Sequence, residues 1–175
     1  MSSSLQLEQF LPYRLSLLSN MVSRSIAQHY QEKHGLSTTQ WRVIAVLRQF
    51  SSLTATQLVE RTAMDKVAIH RAVRGLIERG LLLRREASND RRRQWLSLSE
   101  EGIALHSQVA PKAIEYEQQL LSCLGDTERA QLEQIISQLT EHASQLEQQW
   151  LQETAEPDQG SPSDLPQSSV NIAGE

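Results

Sequence analysis

Arg91, Arg92 and Arg93 stand in a row beside Asp90, in a turn-rich stretch running from Ala87 to Gln94. Three guanidiniums at a turn present forked donors that match phosphate oxygens, and an adjacent carboxylate can orient one of them by ion pairing. A run of charge in isolation is usually just a solvated turn. This one follows a basic amphipathic segment, DKVAIHRAVRGLIER over residues 65–79. At helical spacing Ile69, Val73, Leu76 and Ile77 share one face, while Lys66, His70, Arg71 and Arg74 lie away from it. Arginine pairs bidentately with a guanine edge, so Arg71 and His70 are the candidates for base contact. Ala68 offers an apolar contact to a thymine methyl. Lys66 and Arg74 suit phosphates, which position a protein without specifying sequence. Asp65 is placed to cap the helix.

The charge balance supports a polyanionic partner once it is resolved along the chain. The 175 residues carry a net charge of −4. Residues 1–60 are net +2, residues 61–94 are net +6 and residues 95–175 are net −12. The local field, not the total, attracts a polyanion.

The elements that must hold these side chains are well punctuated. Ser37 with Gln40 forms a capping-box pattern, flanked by the staple pair Leu36 and Trp41. Thr54 and Gln57, with Leu53 and Leu58 around them, repeat it. Leu98 and Ile103 flank Ser99, and Glu100 and Glu101 follow at the positive end of a helix dipole. Gly35 and Gly80 serve as C-terminal stops. The spacing predicts helices over 12–34, 38–50, 54–61 and 65–79, strands over 82–86 and 94–98, and helices over 99–124 and 126–151. Pro111 is expected to kink the first of the last pair or to be absorbed by a bend. Three short helices and a hairpin describe a winged helix-turn-helix. One helix enters the major groove of DNA, and the hairpin reaches the minor groove or the backbone. The expected class is mainly α with a small β-hairpin wing, plus long helices forming a homodimer interface. The division is 1–35 and 99–152 for helical dimerisation, 36–98 for the winged helix-turn-helix, and 153–175 as a disordered tail. The tail holds Pro, Gly and Ser and no aromatic residue, and it cannot bury enough surface to offset chain entropy.

Apolar residues repeat along both terminal helices. Leu132, Ile136, Leu139, Ala143, Leu146 and Trp150 form a heptad seam, and Leu11, Leu15, Leu18, Val22 and Ile26 run at similar spacing. Either stripe alone could pack within one chain. The short central helices can hardly cover both, so an interface between two copies explains them jointly.

Other chemistries find little support. Gly75 and Gly80 have phosphate-loop spacing, but Leu81 and Leu82 stand where Lys and Ser/Thr are required. His29, His34, His70, His106 and His142 are scattered without metal-ligand spacing, so no metal, cofactor or catalytic residue is expected. Cys123 excludes an internal disulfide and is read as a buried structural thiol, with an oxidant-sensing role as the weaker alternative. No apolar run reaches the roughly 18 residues of a membrane span and no signal peptide is evident, so a cytoplasmic setting is expected. Trp95 reads as a packing residue of the hairpin. The competing class is a winged-helix module that binds protein, or nucleic acid in general, without an effector. Duplex RNA hides its major groove from a helix, and steeply salt-dependent, sequence-dependent duplex binding would separate the two classes.

Over residues 5–151 the chain resembles the MarR family of bacterial winged helix-turn-helix regulators. The family's wing pattern is matched by Asp90, Arg92, Leu96, Leu98 and Ser99. The stretch beginning Gly35-Leu36-Ser37 resembles the entry to its second helix, and Glu78-Arg79-Gly80-Leu81-Leu82 the turn into its first wing strand. The resemblance implies a homodimeric repressor on a pseudo-palindromic operator, joined through the terminal helices. The interface residues would include Leu15, Leu18, Val22, Leu132, Ile136, Leu139, Leu146 and Trp150. It implies Arg92 as the minor-groove residue held by Asp90, flanked by Arg91 and Arg93. It further implies release by a small aromatic or phenolic acid between the dimer helices and the winged region. Arg14 is the carboxylate-anchor candidate there, with an intersubunit ion pair as its alternative, and Trp41 could line the same cavity.

Overall fold

The computed structural model describes residues 5–87 and 90–155, leaving the side chains of 87, 90–93 and 155 outside the description. The elements are α1 (Leu11–His34), α2 (Thr38–Phe50), α3 (Ala55–Thr62), α4 (Lys66–Glu78), β1 (Leu82–Ala87), β2 (Asp90–Leu98), α5 (Glu100–Leu121) and α6 (Asp126–Ala155). They fall into two compact units, Met1–Cys123 and Leu124–Glu175.

The first unit closes its ends with local chemistry. Ser37 Oγ accepts from the Gln40 N–H at 3.2 Å while the Gln40 side chain accepts from the Ser37 N–H at 2.9 Å. Thr54 and Gln57 form the same reciprocal pair. These boxes satisfy amides that a helix start leaves without intrahelical partners. Gly35, at φ 60°, turns the chain out of α1 in the left-handed region, its N–H bonded to Gln31 O. That is a conformation glycine adopts without Cβ strain.

Between these ends the apolar faces meet. Val43, Ile44 and Leu47 of α2, Leu58 of α3, and Ile69, Ala72, Val73 and Leu76 of α4 are buried together. Tyr30 of α1, and Leu105 and Val109 of α5, extend the same core. The hairpin is antiparallel, Leu82 opposite Leu98 and Arg84 opposite Leu96. Leu53 adds a bridge, exchanging two backbone hydrogen bonds with Leu96 at 3.0 and 2.8 Å. The base of the wing is thereby tied to the loop after α2. Ser99 Oγ accepts from the Gly102 N–H and donates to Gly80 O, locking the start of α5 onto the turn before β1. Helix α5 runs through Pro111 as one element.

The second unit is α6. Gly125 N–H donates to Glu128 Oε2 at 2.8 Å, and Arg129 Nε donates to Leu124 O at 3.1 Å. Leu132, Ile135, Ile136, Leu139, Leu146, Trp150 and Leu151 all stand exposed along it.

Four expectations are corrected. Strand β2 begins at Asp90, not 94, and β1 reaches Ala87, because pairing continues past Gln94 with a register shift that sets Ala87 opposite Asp90. The arginine run is therefore strand backbone. Helix α5 ends at Leu121 instead of 124, where the Ser122 hydroxyl donates to Gln119 O at 2.7 Å and competes with the helical pattern. Cys123 consequently falls in the turn and is exposed, not buried, its thiol near Leu120 O. Helix α6 continues through Ala155, four residues beyond the expected end, since Gln152, Glu153 and Ala155 are good helix formers and Pro157 is the first breaker. The remainder of the expected tail lies outside the described residues.

Candidate nucleic-acid interface

The cationic face of the molecule is built on α4. Asp65 Oδ1 accepts from the Ala68 N–H at 2.9 Å, which fixes the first turn and takes the carboxylate out of competition for a ligand. With Ile69, Ala72, Val73 and Leu76 buried, the opposite face must point outward. Lys66, His70, Arg71 and Arg74 are all exposed there. Arg74 Nε lies 3.9 Å from Glu78 Oε1, with both side chains mostly in solvent. Such a pair is weak and readily exchanged for a phosphate. Ala68 is only half exposed, and Val67 beside it is the apolar side chain that stands out.

Beside α4 lies an open concavity of 620 Å³, lined by Thr54, Ala55, Thr56, Gln57, Glu60, His70 and Gln94. It joins the start of α3, the exposed face of α4 and the root of β2. On β1, Arg84 and Arg85 are exposed. Asp90, Arg91, Arg92 and Arg93 continue β2 outward from Gln94, and their side chains lie outside the described residues. Trp95 is half-buried opposite Arg85. A cationic helix face, a polar concavity and a basic hairpin lie within one continuous unit. They can engage a groove and its flanking phosphates together.

The comparisons with known proteins agree with this geometry. A MarR-family model matches residues 34–93, the span from the end of α1 into the wing. The transcriptional repressor MprA of Escherichia coli K12 is 29% identical over 165 residues, covering 84% of this chain and 94% of its own length. A crystal structure of a MarR/EmrR family transcriptional regulator from Acinetobacter sp. ADP1 superposes with a TM-score of 0.74 at 27% identity, over 81% of this chain and 99% of that one. The Bordetella bronchiseptica BpsR structure shares the fold at 20% identity with a TM-score of 0.69, over 79% and 98%. The chain is similar to MarR-family regulators, by the family model over residues 34–93 and by these relatives over most of its length. It has the winged-helix fold of these transcription regulators. Among the described residues no helix is long and apolar enough to cross a membrane.

A second feature of this chain is a cavity of 540 Å³ lined by Leu17, Asn20, Ser23, Arg24, Thr38, Arg42 and Met64. It lies between α1, the start of α2 and the turn that leads into α4. Arg42 Nη2 donates to Ser23 Oγ at 3.2 Å, so one guanidinium is held at the wall while Arg24 stays exposed. Neither residue expected at a ligand site lines it. Arg14 is exposed earlier on α1. Trp41 is packed between rings instead, 5.7 Å from Tyr30 and 5.5 Å from His106 by ring centroids. The apolar stripes of the sequence do not point to Arg24 or Arg42, which belong to a polar flank. Asn20, Ser23 and Arg24, at spacings of three and four, mark that flank on α1. The buried Tyr30 hydroxyl has its pKa raised by burial, an effect partly offset by a hydrogen bond with Thr38 and the charge of Arg42.

Proposed function

We propose that this regulator is a homodimeric repressor that binds a pseudo-palindromic operator and is released by a small aromatic or phenolic acid. The observation that carries the reading is the exposed face of α4, with four basic or titratable side chains set opposite a fully buried apolar face. Lys66 and Arg74 engage phosphates, while His70 and Arg71 read base edges in the major groove. Arg92, held by Asp90 and flanked by Arg91 and Arg93, reaches the minor groove. Two copies joined by α1 and α6, through Leu15, Leu18, Val22, Leu132, Ile136, Leu139, Leu146 and Trp150, set two α4 helices about one helical turn of DNA apart. Residues 1–35 and 99–152 would then form the dimerisation region around the winged helix-turn-helix at 36–98.

The cavity at Arg24 and Arg42 is the better place for the effector than the neighbourhood of Arg14. Two guanidiniums suit a carboxylate, and Leu17 and Met64 supply the apolar surface for a ring. Met64 immediately precedes the Asp65 cap, so a ligand pressing on it acts on the start of α4. The BpsR structure concerns regulation of DNA binding by 6-hydroxynicotinic acid, an aromatic acid of the size such a cavity admits. The test is binding-site selection from genomic DNA with the purified chain, repeated with a panel of aromatic acids. An enriched inverted repeat with a steep salt dependence, lost with one acid, is the expected result. Arg92→Ala should weaken binding to that repeat by about 1–3 kcal/mol in each half-site. Absence of any enriched duplex would overturn the reading.

A further inference from the structure

Among the apolar side chains of α2 through β2 that stand in solvent, Val67 is 66% exposed, against 45% for Leu83 and 38% for Phe50. It occupies the second position of α4, in the turn held by the Asp65 cap. Valine is a weak helix former, because its branched side chain loses rotamer freedom against the preceding turn. Nothing in the fold compensates, since no core residue covers it. One exposed apolar side chain is ordinary in itself. The setting of this one is not, because its neighbours on the helix surface are Lys66, His70 and Arg71.

We propose that Val67 is a specificity-determining residue that packs against the C5-methyl group of a thymine in the major groove. The inference rests on α4 being the DNA-facing helix. The N-terminal residues of such a helix are the ones that meet base edges. Cations at phosphates do not distinguish sequences, and the thymine methyl is the apolar landmark the major groove offers. Val67 is stiff about its first side-chain torsion, so it presents two methyl groups with little further entropy to give up when it docks. Ala68 is a poorer reader of the same landmark, being half-buried with a single methyl. A protein partner fits Val67 less well. One valine set between Lys66 and Arg71 falls far short of the roughly 800 Å² per partner that a stable interface buries.

The test titrates the wild-type chain and Val67→Ala against the selected operator and against duplexes in which each thymine in turn is replaced by deoxyuridine. That replacement deletes one methyl group and leaves every hydrogen-bonding edge intact. The expected result is a position in each half-site where wild type loses about fourfold in affinity, the value of one buried methyl-sized group. At that position Val67→Ala is indifferent to the methyl, and on the parent duplex, where the variant dimer loses the contact in both half-sites, it is weaker than wild type by about sixteenfold, the square of that factor. Equal thymine-to-deoxyuridine ratios for both proteins at every position would overturn the assignment while leaving DNA binding intact. So would a Val67→Ala chain that binds the parent duplex as tightly as wild type. If neither protein enriches any duplex, the DNA-facing reading of α4 fails and the assignment fails with it.

Discussion

The winged region and helix α6 handle their apolar residues in opposite ways. In the winged region, Val43, Ile44, Leu47, Leu58, Ile69 and Leu76 are all buried within one chain, behind capped helix ends and a bridged hairpin. In α6, Leu132, Ile136, Leu139, Leu146 and Trp150 keep heptad spacing and remain in solvent. Helix α1 is intermediate, with Ala27 and Tyr30 buried near its end and Leu11, Leu15 and Leu18 exposed near its start. A heptad seam left open along a long helix is a surface shaped for another helix. The same chain thus contains a region that completes its own core and one that leaves its apolar seam uncovered, as the proposed pairing of two copies requires.

The contrast breaks most visibly where the winged region has no room. A Cβ on Gly102 would overlap Leu81 O, a backbone atom that cannot swing aside. Gly102→Val should therefore cost about 3 kcal/mol or more, through overpacking and loss of the Ser99 cap, at every protein concentration. Thermal unfolding at two concentrations checks it, and a shift below about 1 kcal/mol would mean the turn yields more easily than its hydrogen bonds imply. On the other side, Leu139→Asp should leave the secondary structure of the isolated chain unchanged and move the proposed dimer toward monomer. Light scattering across a dilution series, together with a melting temperature that loses its concentration dependence, is the check. A wild-type chain already monomeric at micromolar concentration would remove the second half of the contrast.

How far each region is legible in the sequence follows from the same difference. Caps and buried faces are written locally. Ser37 with Gln40, Thr54 with Gln57 and Asp65 with its helix each declare themselves within four residues, and their hydrogen bonds stand as expected. The apolar face of α4 is equally readable, because its period is short and regular. What escapes depends on competition or on tertiary juxtaposition. The end of α5 comes earlier than its periodicity suggests because the Ser122 hydroxyl competes with the backbone. The length of β2 depends on a register shift that no periodicity announces. Arg24 and Arg42 share a cavity only because α1 and α2 meet, and their own neighbours along the chain do not show it. Trp41 looks like a cavity residue from its place in α2, and its contacts with two rings from distant segments are not written in its own neighbourhood.

A smaller effect sharpens the local side of the comparison. Ser37→Ala removes the oxygen that accepts from the Gln40 N–H and leaves that amide to solvent. The expected loss is about 1 kcal/mol, independent of concentration, because it lies within one chain. Denaturant unfolding with an unchanged slope would show it. Coupling to the oligomeric state would indicate that α2 takes part in the interface.

The smallest expected effect is a pH dependence carried by the ring cluster. His106 of α5 stacks on Trp41 of α2 at 5.5 Å with the planes 19° apart, and Trp41 in turn meets Tyr30 of α1. Burial lowers the His106 pKa first, and the positive charge of Arg48 lowers it further. The folded chain therefore holds this imidazole neutral where the unfolded chain, titrating near the ordinary value of about 6.5, takes up a proton. Unfolding binds that proton between the lowered folded value and about 6.5, so stability falls as pH drops through that window and levels off below it. His34, lowered mainly by desolvation and then by Lys33 and Arg79, acts with the same sign. Melting temperature between pH 5 and 8 should decline on the acid side, and His106→Gln should flatten part of that decline without abolishing it. Trp41 fluorescence followed in parallel reports whether the stack itself loosens. A slope identical in wild type and His106→Gln would assign the acid sensitivity to groups outside the cluster, and with it any claim that α1, α2 and α5 are held together through these rings would lose its support.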